Sequence, residues 1–503
     1  MYLGIDCGTQ STKALLIDES GRAVGRGSSP HALVEKPSGA REQDPQWWVD
    51  ALSLSAMEAI QGHEANVRAI GVSGQQHGLV VLDVNKEVIR PAKLWSDTET
   101  LAQNEEILRL FGGRKKFFDK FGIVPLTGYT VSKLLWLNQV EPENFAKVRH
   151  ILLPHEYLNF WLTGEIRAEF GDSSGTAFFD VRQRVWAREV LDRIDGGTGQ
   201  LYAALPSFVG PTEVVGRLRE EVARKLGLSR ECVVSAGGGD NMMGAIGTGN
   251  VREGMVTMNL GTSSTVYSFS QAPVLDPTGN VATFCSSSGG FLPLVCTMNA
   301  TNVVSNVVHL LGKTVSDIDA ALDSTAPGSD GLIFLPFLNG ERTPDLPHAK
   351  GSLHGISPNN LTPSNLIRAI VEGASFGILS GLDLVLDGKL ADIIVVIGGG
   401  ARSRGWRQLL ADASGAEIRV PREQESACLG APIQAKVALC ELSGRPTTFT
   451  DVADQFVSID EASTLKPRPN LSPEYRRARE LFRRQLETIY ANPSSLGDHA
   501  PLC

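Results

Sequence analysis

The sequence predicts an α/β protein built from two similar halves, and three observations support this prediction. Short apolar segments of strand length alternate with longer segments of helical periodicity along the chain. Glycine-rich turns such as "AGGGDN" and "IGGGAR" separate them. The phrase "GIDCGTQST" near the N-terminus returns about half a chain length later as "MNLGTSST". A repeated strand–turn–strand unit indicates a duplicated domain that faces its copy across a cleft.

The first half begins with a predicted hairpin formed by "YLGID" and "KALLID". Asp44 as N-cap and Pro45 as first helical residue start a helix through "QWWVDALSLSAMEAI". The segments "VRAIGVSG" and "LVVLD" are strands on either side of a polar turn. The segment "ECVVSAGGGDNMMGAIGTG" predicts a strand, a glycine turn and a helix that begins at Asp240 or Asn241. Further helices are predicted near residues 131–138, 154–162 and 215–226.

The second half repeats the pattern after a linker near Gly249, with a hairpin at 255–269 and a strand at "DIIVVIGG". Its predicted helices lie near 302–311, 363–386, 405–414, 427–440 and 473–490. We therefore expect an N-terminal domain at 1–247, a C-terminal domain at 255–445, and a C-terminal helix with a mobile tail at 446–503.

Composition narrows the functional class. The net charge is −9 and no Lys/Arg block is present, which argues against a nucleic-acid-binding surface. The seven cysteines contain no C-x-x-C pair, which favours a reduced cytoplasmic protein. We expect neither a signal peptide nor a membrane span, because the N-terminus lacks a basic segment and apolar runs are short.

Three glycine turns, at 6–13, 259–265 and 398–404, suit phosphate binding, because their backbone N–H groups and hydroxyls can point at one anion. Lys13 adds positive charge, and the carboxylate of Asp6 suits Mg²⁺. The segment "LLGKT" resembles the end of a P-loop, but Val307 stands where that motif requires glycine. Two hairpin turns that face each other would hold a polyphosphate from both sides.

Two long patterns, "GYTVSKLLW" from Gly128 and "GSLHGISPNNLTPSNLIRAIVE" from Gly351, resemble those of the FGGY carbohydrate kinases. The resemblance extends over roughly residues 1–485. It implies two duplicated actin-like, ribonuclease H-like ATPase domains with a cleft between them. Within the family, "SGQQHG", "AGGGDN" and "IGGGARSRGWRQLLAD" are most similar to the xylulokinase subgroup. One departure is "LWSDTET", where many members carry Arg a few residues after the Asp, and it affects the rim of the sugar pocket.

The resemblance implies that Asp240 is the general base that takes the proton from the attacking sugar hydroxyl. A carboxylate at the end of "GGGD" fits that role, although it could also cap the following helix. The resemblance places Gln76 and His77 on the sugar, where neutral amide and imidazole groups suit a polyol. Asn241 is a weaker candidate for the same pocket.

The resemblance also implies ATP and Mg²⁺ as partners, with Asp6 organising the metal ion. Residues matching the two phosphate loops are Thr9, Gln10, Ser11, Lys13, Gly261 and Thr262. Residues expected against adenosine are Gly399, Gly400 and Arg404. Asp172, Glu341 and Arg342 are cleft candidates without an assigned role.

The expected activity is ATP-dependent phosphorylation of D-xylulose to the 5-phosphate. Another ketose or polyol of the family, such as ribulose, a deoxy-ketohexose or gluconate, remains an alternative. A non-enzymatic actin-like or Hsp70-like ATP-binding module is a remote one. We expect a small-molecule substrate and no nucleic-acid or membrane partner, and a homodimer is left open.

Overall fold

The computed structural model describes residues 1–490. The predicted mobile tail from Asn492 lies outside the described residues. Each half of the chain is built around one mixed sheet with helices against it, which confirms the predicted α/β class. The two halves meet along a cleft that contains the candidate site.

The N-terminal sheet has seven strands and begins with the predicted hairpin. We call residues 2–17 the first hairpin; its strands pair antiparallel, with Asp6 opposite Lys13. Its first strand also pairs in parallel with Ala69–Gly74. In spatial order the strands are Val214–Arg217, Val233–Ser235, Ala69–Gly74, Tyr2–Cys7, Ser11–Ile17 and Ala23–Pro30, with Gly238–Gly239 also on Ala69–Gly74.

The C-terminal sheet repeats this arrangement with six strands. We call residues 255–268 the second hairpin; Asn259 lies opposite Thr265. Its first strand again pairs in parallel with a later strand, Ile393–Ile397. In spatial order the strands are Ala282–Cys285, Phe291–Thr297, Ser264–Ser268, Met255–Leu260, Ile393–Ile397 and Glu417–Arg419. The shared topology confirms the duplication inferred from the repeated phrase.

Helices cover the two main sheets, and the remaining short strands form separate two- and three-stranded sheets. The N-terminal helices are Pro45–Ile60, Leu101–Leu110, Arg114–Phe121, Thr130–Val140, Pro142–Phe145, Pro154–Thr163, Phe170–Ser173, Arg188–Asp195, Gln200–Ala203, Glu220–Leu226 and Asp240–Gly247. The later helices are Thr301–Leu310, Asp317–Ser324, Pro363–Leu386, Arg404–Ser414, Ser426–Leu442, Phe449–Phe456 and Ser472–Tyr490. The short strands are Val34–Glu35, Arg41–Gln43, Val80–Leu82, Ala92–Lys93, His150–Leu152, Arg167–Ala168, Phe179–Asp180, Val185–Trp186, Ser207–Phe208, Ile333–Leu335 and Ser352–His354.

One sequence prediction needs correction, and a second is confirmed with a partner that the sequence did not indicate. The helix predicted at 215–226 begins only at Glu220, because Val214–Arg217 forms an edge strand against Val233–Ser235. The strand Val80–Leu82 exists as predicted, but it pairs with His150–Leu152 in a separate two-stranded sheet. In both places, pairing with a distant segment decides the conformation.

The helix Ser426–Leu442 belongs to the second half in sequence but packs on the N-terminal sheet. Glycines allow the backbones to touch. A Cβ on Gly4 would lie 2.2 Å from the carbonyl oxygen of Cys428, and one on Gly71 would lie 2.1 Å from that of Ala431. The chain thus crosses from the second half back to the first, and the predicted boundary at 445 stays a prediction.

Among the described residues, one helix, Pro363–Leu386, is long and apolar enough to span a membrane. The protein itself buries 72% of its most apolar segment. Its N-terminus is capped by Thr362, whose hydroxyl accepts a hydrogen bond from the Asn365 N–H. These features are typical of a helix in the core of a folded domain.

Candidate active site

A cavity of about 280 Å³ lies between the two halves. Both halves contribute polar side chains to its wall, so a ligand there would contact both. From the first half come Gln76, His77, Trp95, Tyr129, Asp240 and Asn241. From the second half come Asn259, Thr265, Asn280, Phe284, Cys296 and Arg342.

Sheet topology explains why the first-half residues meet. The strands Tyr2–Cys7, Ala69–Gly74 and Gly238–Gly239 run parallel, so their carboxyl ends lie at one edge of the sheet. Asp6 is at the end of the first strand, Gln76 follows the second, and Asp240 follows the third. Loops at this edge are the common position for ligands in open α/β sheets.

Asp240 is the first residue of the helix Asp240–Gly247, and Gly239 holds the N-cap position. Its Oδ1 accepts hydrogen bonds from the N–H of Asn241 at 2.8 Å and from its Nδ2 at 3.0 Å. The same Asn241 Nδ2 donates to Gln76 Oε1 at 2.7 Å. Three of the predicted sugar-binding residues therefore form one hydrogen-bonded group around the carboxylate.

The pKa of Asp240 is raised from its usual acidic range to about 7. Burial is the largest cause, and the negative charges of Asp6 and Asp172 add to it. A carboxylate with this pKa can accept a proton near neutral pH and release it again. Its electrostatics therefore suit a general base.

His77 has a left-handed backbone, with φ of 62°, and its ring packs on Tyr129 with 4.7 Å between ring centroids. Burial lowers its pKa well below the usual value, and the charges of Lys133 and Arg342 lower it further. The imidazole is therefore neutral. Its Nδ1 and the Nε2 of Gln76 are buried and lack a hydrogen-bond partner among the described residues. The side chains of Gln76 and His77 line the cavity, and a neutral imidazole and an amide suit a hydroxylated ligand.

Asp172 holds this wall in place from behind. It is fully buried, and its Oδ2 lies 3.1 Å from Nδ1 of His155. Its Oδ1 accepts a hydrogen bond from the His77 backbone N–H at 3.4 Å. Sequence analysis gave Asp172 no role, and these contacts make it a residue that positions His77.

The first hairpin presents Asp6, Thr9 and Lys13 near the same edge. Asp6 Oδ1 accepts a hydrogen bond from the Ser73 hydroxyl at 2.7 Å, and burial raises its pKa. Lys13 Nζ pairs with Glu425 at 2.7 Å. The predicted loop residues Gln10 and Ser11 are exposed or partly exposed at the turn.

Trp95 joins this hairpin to the cavity wall, because its indole N–H donates to the Thr9 hydroxyl at 3.0 Å. Trp95 belongs to the segment "LWSDTET", which departs from the family pattern, and two acidic residues of that segment join a cluster of charged side chains. Glu42, Asp97 and Glu99 lie close enough together to hold a metal ion, but Lys93 Nζ lies 3.1, 3.1 and 2.5 Å from their carboxylates. The lysine thus supplies the positive charge of that cluster.

The second hairpin lies against the third glycine turn. Gly261 accepts hydrogen bonds from the N–H and hydroxyl of Thr301, at 3.1 and 2.7 Å, and Thr262 is exposed. A Cβ on Gly400 would lie 3.1 Å from Thr301 Cγ2, whereas one on Gly399 would meet nothing within 4 Å. This turn therefore leaves open space beside Gly399.

Arg404 begins the helix Arg404–Ser414 and is exposed. Its backbone N–H donates to Asp319 Oδ2 at 3.2 Å, and no ion pair holds its side chain among residues 1–490. The sequence analysis named Asn259 and Thr265 as the ends of the second glycine turn and Arg342 as a cleft candidate without a role. The structure places all three on the wall of the cavity.

A cleft between two duplicated ATPase-type domains, with a carboxylate of pKa near 7 beside neutral polar groups, defines a phosphotransferase that acts on a hydroxylated small molecule. The N-terminal domain of the FGGY family of carbohydrate kinases matches residues 1–247, and its C-terminal domain matches residues 256–439. The chain belongs to this family, and it is an ATP-dependent sugar kinase.

Individual relatives cover nearly the whole chain. The xylulose kinase of Haemophilus influenzae is 42% identical, over 97% of this chain and 100% of that protein. A ligand-bound xylulose kinase from Lactobacillus acidophilus is similar in structure, with a TM-score of 0.88, 26% identity, and coverage of 97% and 98%. A gluconate kinase from the same organism has the same TM-score at 25% identity, over 97% and 98% of the two chains. The backbone alone therefore does not distinguish these substrates.

Proposed function

We propose that this chain transfers the γ-phosphoryl group of ATP to D-xylulose and forms the 5-phosphate. The similarity to a xylulose kinase along the full length of both chains supports this substrate. The single structural observation behind the proposal is the placement of Asp240. It lies in the cavity with the side chains of Gln76, His77 and Asn241, and the pKa of its carboxyl is near 7.

In the proposed mechanism, Gln76, His77 and Asn241 bind hydroxyl groups of the sugar and orient its terminal hydroxyl toward Asp240. Asp240 accepts the hydroxyl proton as the oxygen attacks the γ-phosphorus, and the bond from that phosphorus to the bridging oxygen breaks to release ADP. Closure of the cleft would exclude water, which otherwise competes as phosphoryl acceptor. Asp172 keeps His77 oriented throughout.

The triphosphate would lie between the turns of the two hairpins. The proposed phosphate contacts are Thr9, Gln10, Ser11, Lys13, Gly261 and Thr262. Adenosine would lie against Gly399, Gly400 and Arg404, and the open space beside Gly399 supports this placement.

We further propose that Mg²⁺ is held by Asp6. Asp6 offers hard oxygen ligands, and its charge acts on Asp240, which is consistent with a cation between or beside these carboxylates. When bound, the ion would neutralise charge on the phosphate oxygens. A cytoplasmic location is part of the same proposal.

Gluconate is the second candidate substrate, because the guanidinium of Arg342 lines the cavity, has no ion pair within residues 1–490, and could bind a carboxylate. The test is an ADP-release assay with D-xylulose, D-ribulose, gluconate, glycerol and xylitol. Selective turnover of D-xylulose supports the proposal. Selective turnover of gluconate or another member of the panel would replace it.

A further inference from the structure

Arg342 is one of several second-half residues on the cavity wall. It lines the cavity together with His77 and Tyr129; its positive charge adds to the burial that lowers the pKa of His77 and partly opposes the burial that raises the pKa of Tyr129. It also acts on Cys296, a cavity residue of its own half. The guanidinium therefore lies where the two halves approach each other.

The backbone of Arg342 is held firmly by its neighbour. Glu341 is buried, and its Oε1 accepts hydrogen bonds from the N–H groups of Arg342 and Met298, at 2.8 and 2.6 Å. Its Oε2 accepts another from Asn299 Nδ2 at 2.9 Å. Because the buried carboxylate of Glu341 accepts these hydrogen bonds, it fixes the backbone position from which the Arg342 side chain extends.

The guanidinium itself has no carboxylate within ion-pair distance among residues 1–490, as the ion pairs of the described residues do not include it. By contrast, the nearby Arg114 pairs with Asp345 at 2.8 Å. Arg342 lines the cavity beside His77 and Tyr129, which we call the His77 wall, and its side chain is exposed. Its guanidinium is therefore available to a ligand.

The proposed reaction determines what this wall would meet. A 2-ketopentose closes to a ring by using its C5 oxygen, so a molecule whose C5 hydroxyl is free for phosphorylation is open-chain. Its C2 is then a free carbonyl, which accepts hydrogen bonds but donates none. The planar guanidinium offers five donors and no acceptor. It therefore complements a carbonyl oxygen better than the amide and hydroxyl groups nearby do.

Resting on the proposed function, we propose that Arg342 binds the C2 carbonyl oxygen of the open-chain ketose and so selects ketoses over the corresponding polyols. The C5 hydroxyl lies at Asp240, and the carbonyl, three carbons away, lies at the His77 wall. Arg342 is then a specificity residue, and it does not contact the transferred phosphoryl group.

The experiment measures dissociation constants by calorimetry, without ATP, for D-xylulose and for xylitol, which carries an alcohol at C2. In Arg342→Gln, the constant for D-xylulose should rise by about 10- to 100-fold, while that for xylitol changes less than about threefold. Arg342→Lys should recover part of the loss. The matched control Arg114→Gln removes the nearby ion pair with Asp345, and both constants should stay within about twofold of wild type.

The assignment would be overturned if Arg342→Gln lost affinity equally for both ligands, or if its affinity for D-xylulose did not fall. Loss of gluconate binding without loss of ketose binding would overturn it as well. Failure of the proposed function shows separately, in wild-type turnover on the substrate panel. If the panel shows that another ketose is the substrate, the binding experiment uses that ketose and its polyol in place of D-xylulose and xylitol. Thermal unfolding of each variant checks that it folds.

Discussion

The two hairpins share one fold but differ in charge. In each, the first strand pairs antiparallel with the second and parallel with a later strand. In the first hairpin the facing pair near the turn is Asp6 and Lys13, whereas in the second it is Asn259 and Thr265. Duplication thus supplies two similar turns, and of these two the first carries the charged side chains suited to the proposed metal and phosphoryl chemistry.

The segments that follow the parallel strands also differ, with polar side chains in the first half and glycines in the second. Ala69–Gly74 leads into the buried polar side chains of Gln75 and Gln76, whereas Ile393–Ile397 leads into three glycines. In the proposed function, these side chains of the first half bind the sugar, whereas the open backbone of the second half accommodates the nucleotide. Each prediction below changes one side of this comparison.

The largest effect is expected for Asp240→Asn, because it removes the proposed base from the first half. The turnover number should fall by about 10³-fold, within the range for general bases, while the affinity for sugar and ATP stays close to wild type. Steady-state ADP release and calorimetric sugar binding measure the two quantities. Turnover near the wild-type value would exclude Asp240 from proton transfer.

Asp6→Asn makes the first hairpin neutral at this position, as the second already is. The Mg²⁺ concentration needed for half-maximal activity should rise by about 10- to 100-fold, because a metal-organising carboxylate is lost. The control is Asn259→Ala at the equivalent position of the second hairpin. If that variant shifts the Mg²⁺ requirement as much as Asp6→Asn does, the difference between the hairpins has no chemical meaning.

Gly399→Val tests the nucleotide side. Open space surrounds this position, so folding should be unaffected, but added methyl groups would occupy the proposed adenosine surface. We expect the KM for ATP to rise by about tenfold and the KM for the sugar to stay constant. Gly400→Ala is the contrasting variant, because its Cβ would lie 2.8 Å from Leu260 Cβ and should lower the melting temperature. An unchanged ATP KM in Gly399→Val would move adenosine elsewhere.

The smallest effect concerns stability. Burial raises the pKa of Asp240 to about 7. Between about pH 4 and pH 7, the folded state therefore keeps a proton on this carboxyl that the unfolded state has released. This group therefore reduces stability progressively as pH rises from about 4 to 7. Asp240→Asn should be more stable than wild type by about 1 kcal/mol at pH 8, and the gain should disappear near pH 4. Thermal unfolding at the two pH values checks the sign, and an equal difference at both would refute it.

Local patterns predicted much of the fold from the sequence. The N-cap Asp44 with Pro45 and the periodicity of the helix Pro363–Leu386 gave these elements their correct positions. The strand Val214–Arg217 was missed, because its conformation depends on pairing with residues about 20 positions later along the chain. The placement of the helix Ser426–Leu442 on the first half was also missed, because close glycine contacts between distant segments carry no local signal.

The candidate site divides in the same way. Gln76, His77, Asp240 and Asn241 lie in short glycine-bounded motifs, and the structure places all four on one cavity. Arg342 reaches the same cavity from far along the chain. The sequence identified it as a cleft candidate, but its proposed role depends on where the halves meet, which no spacing within a motif indicates.

The most direct test of the account is a crystal structure with D-xylulose and a non-hydrolysable ATP analogue bound together. The account predicts that the triphosphate contacts the turns of both hairpins and that the C5 hydroxyl lies within hydrogen-bond distance of an Asp240 carboxylate oxygen, about 2.6–3.2 Å. A triphosphate bound to one turn alone, or a C5 hydroxyl beyond the reach of Asp240, would contradict it.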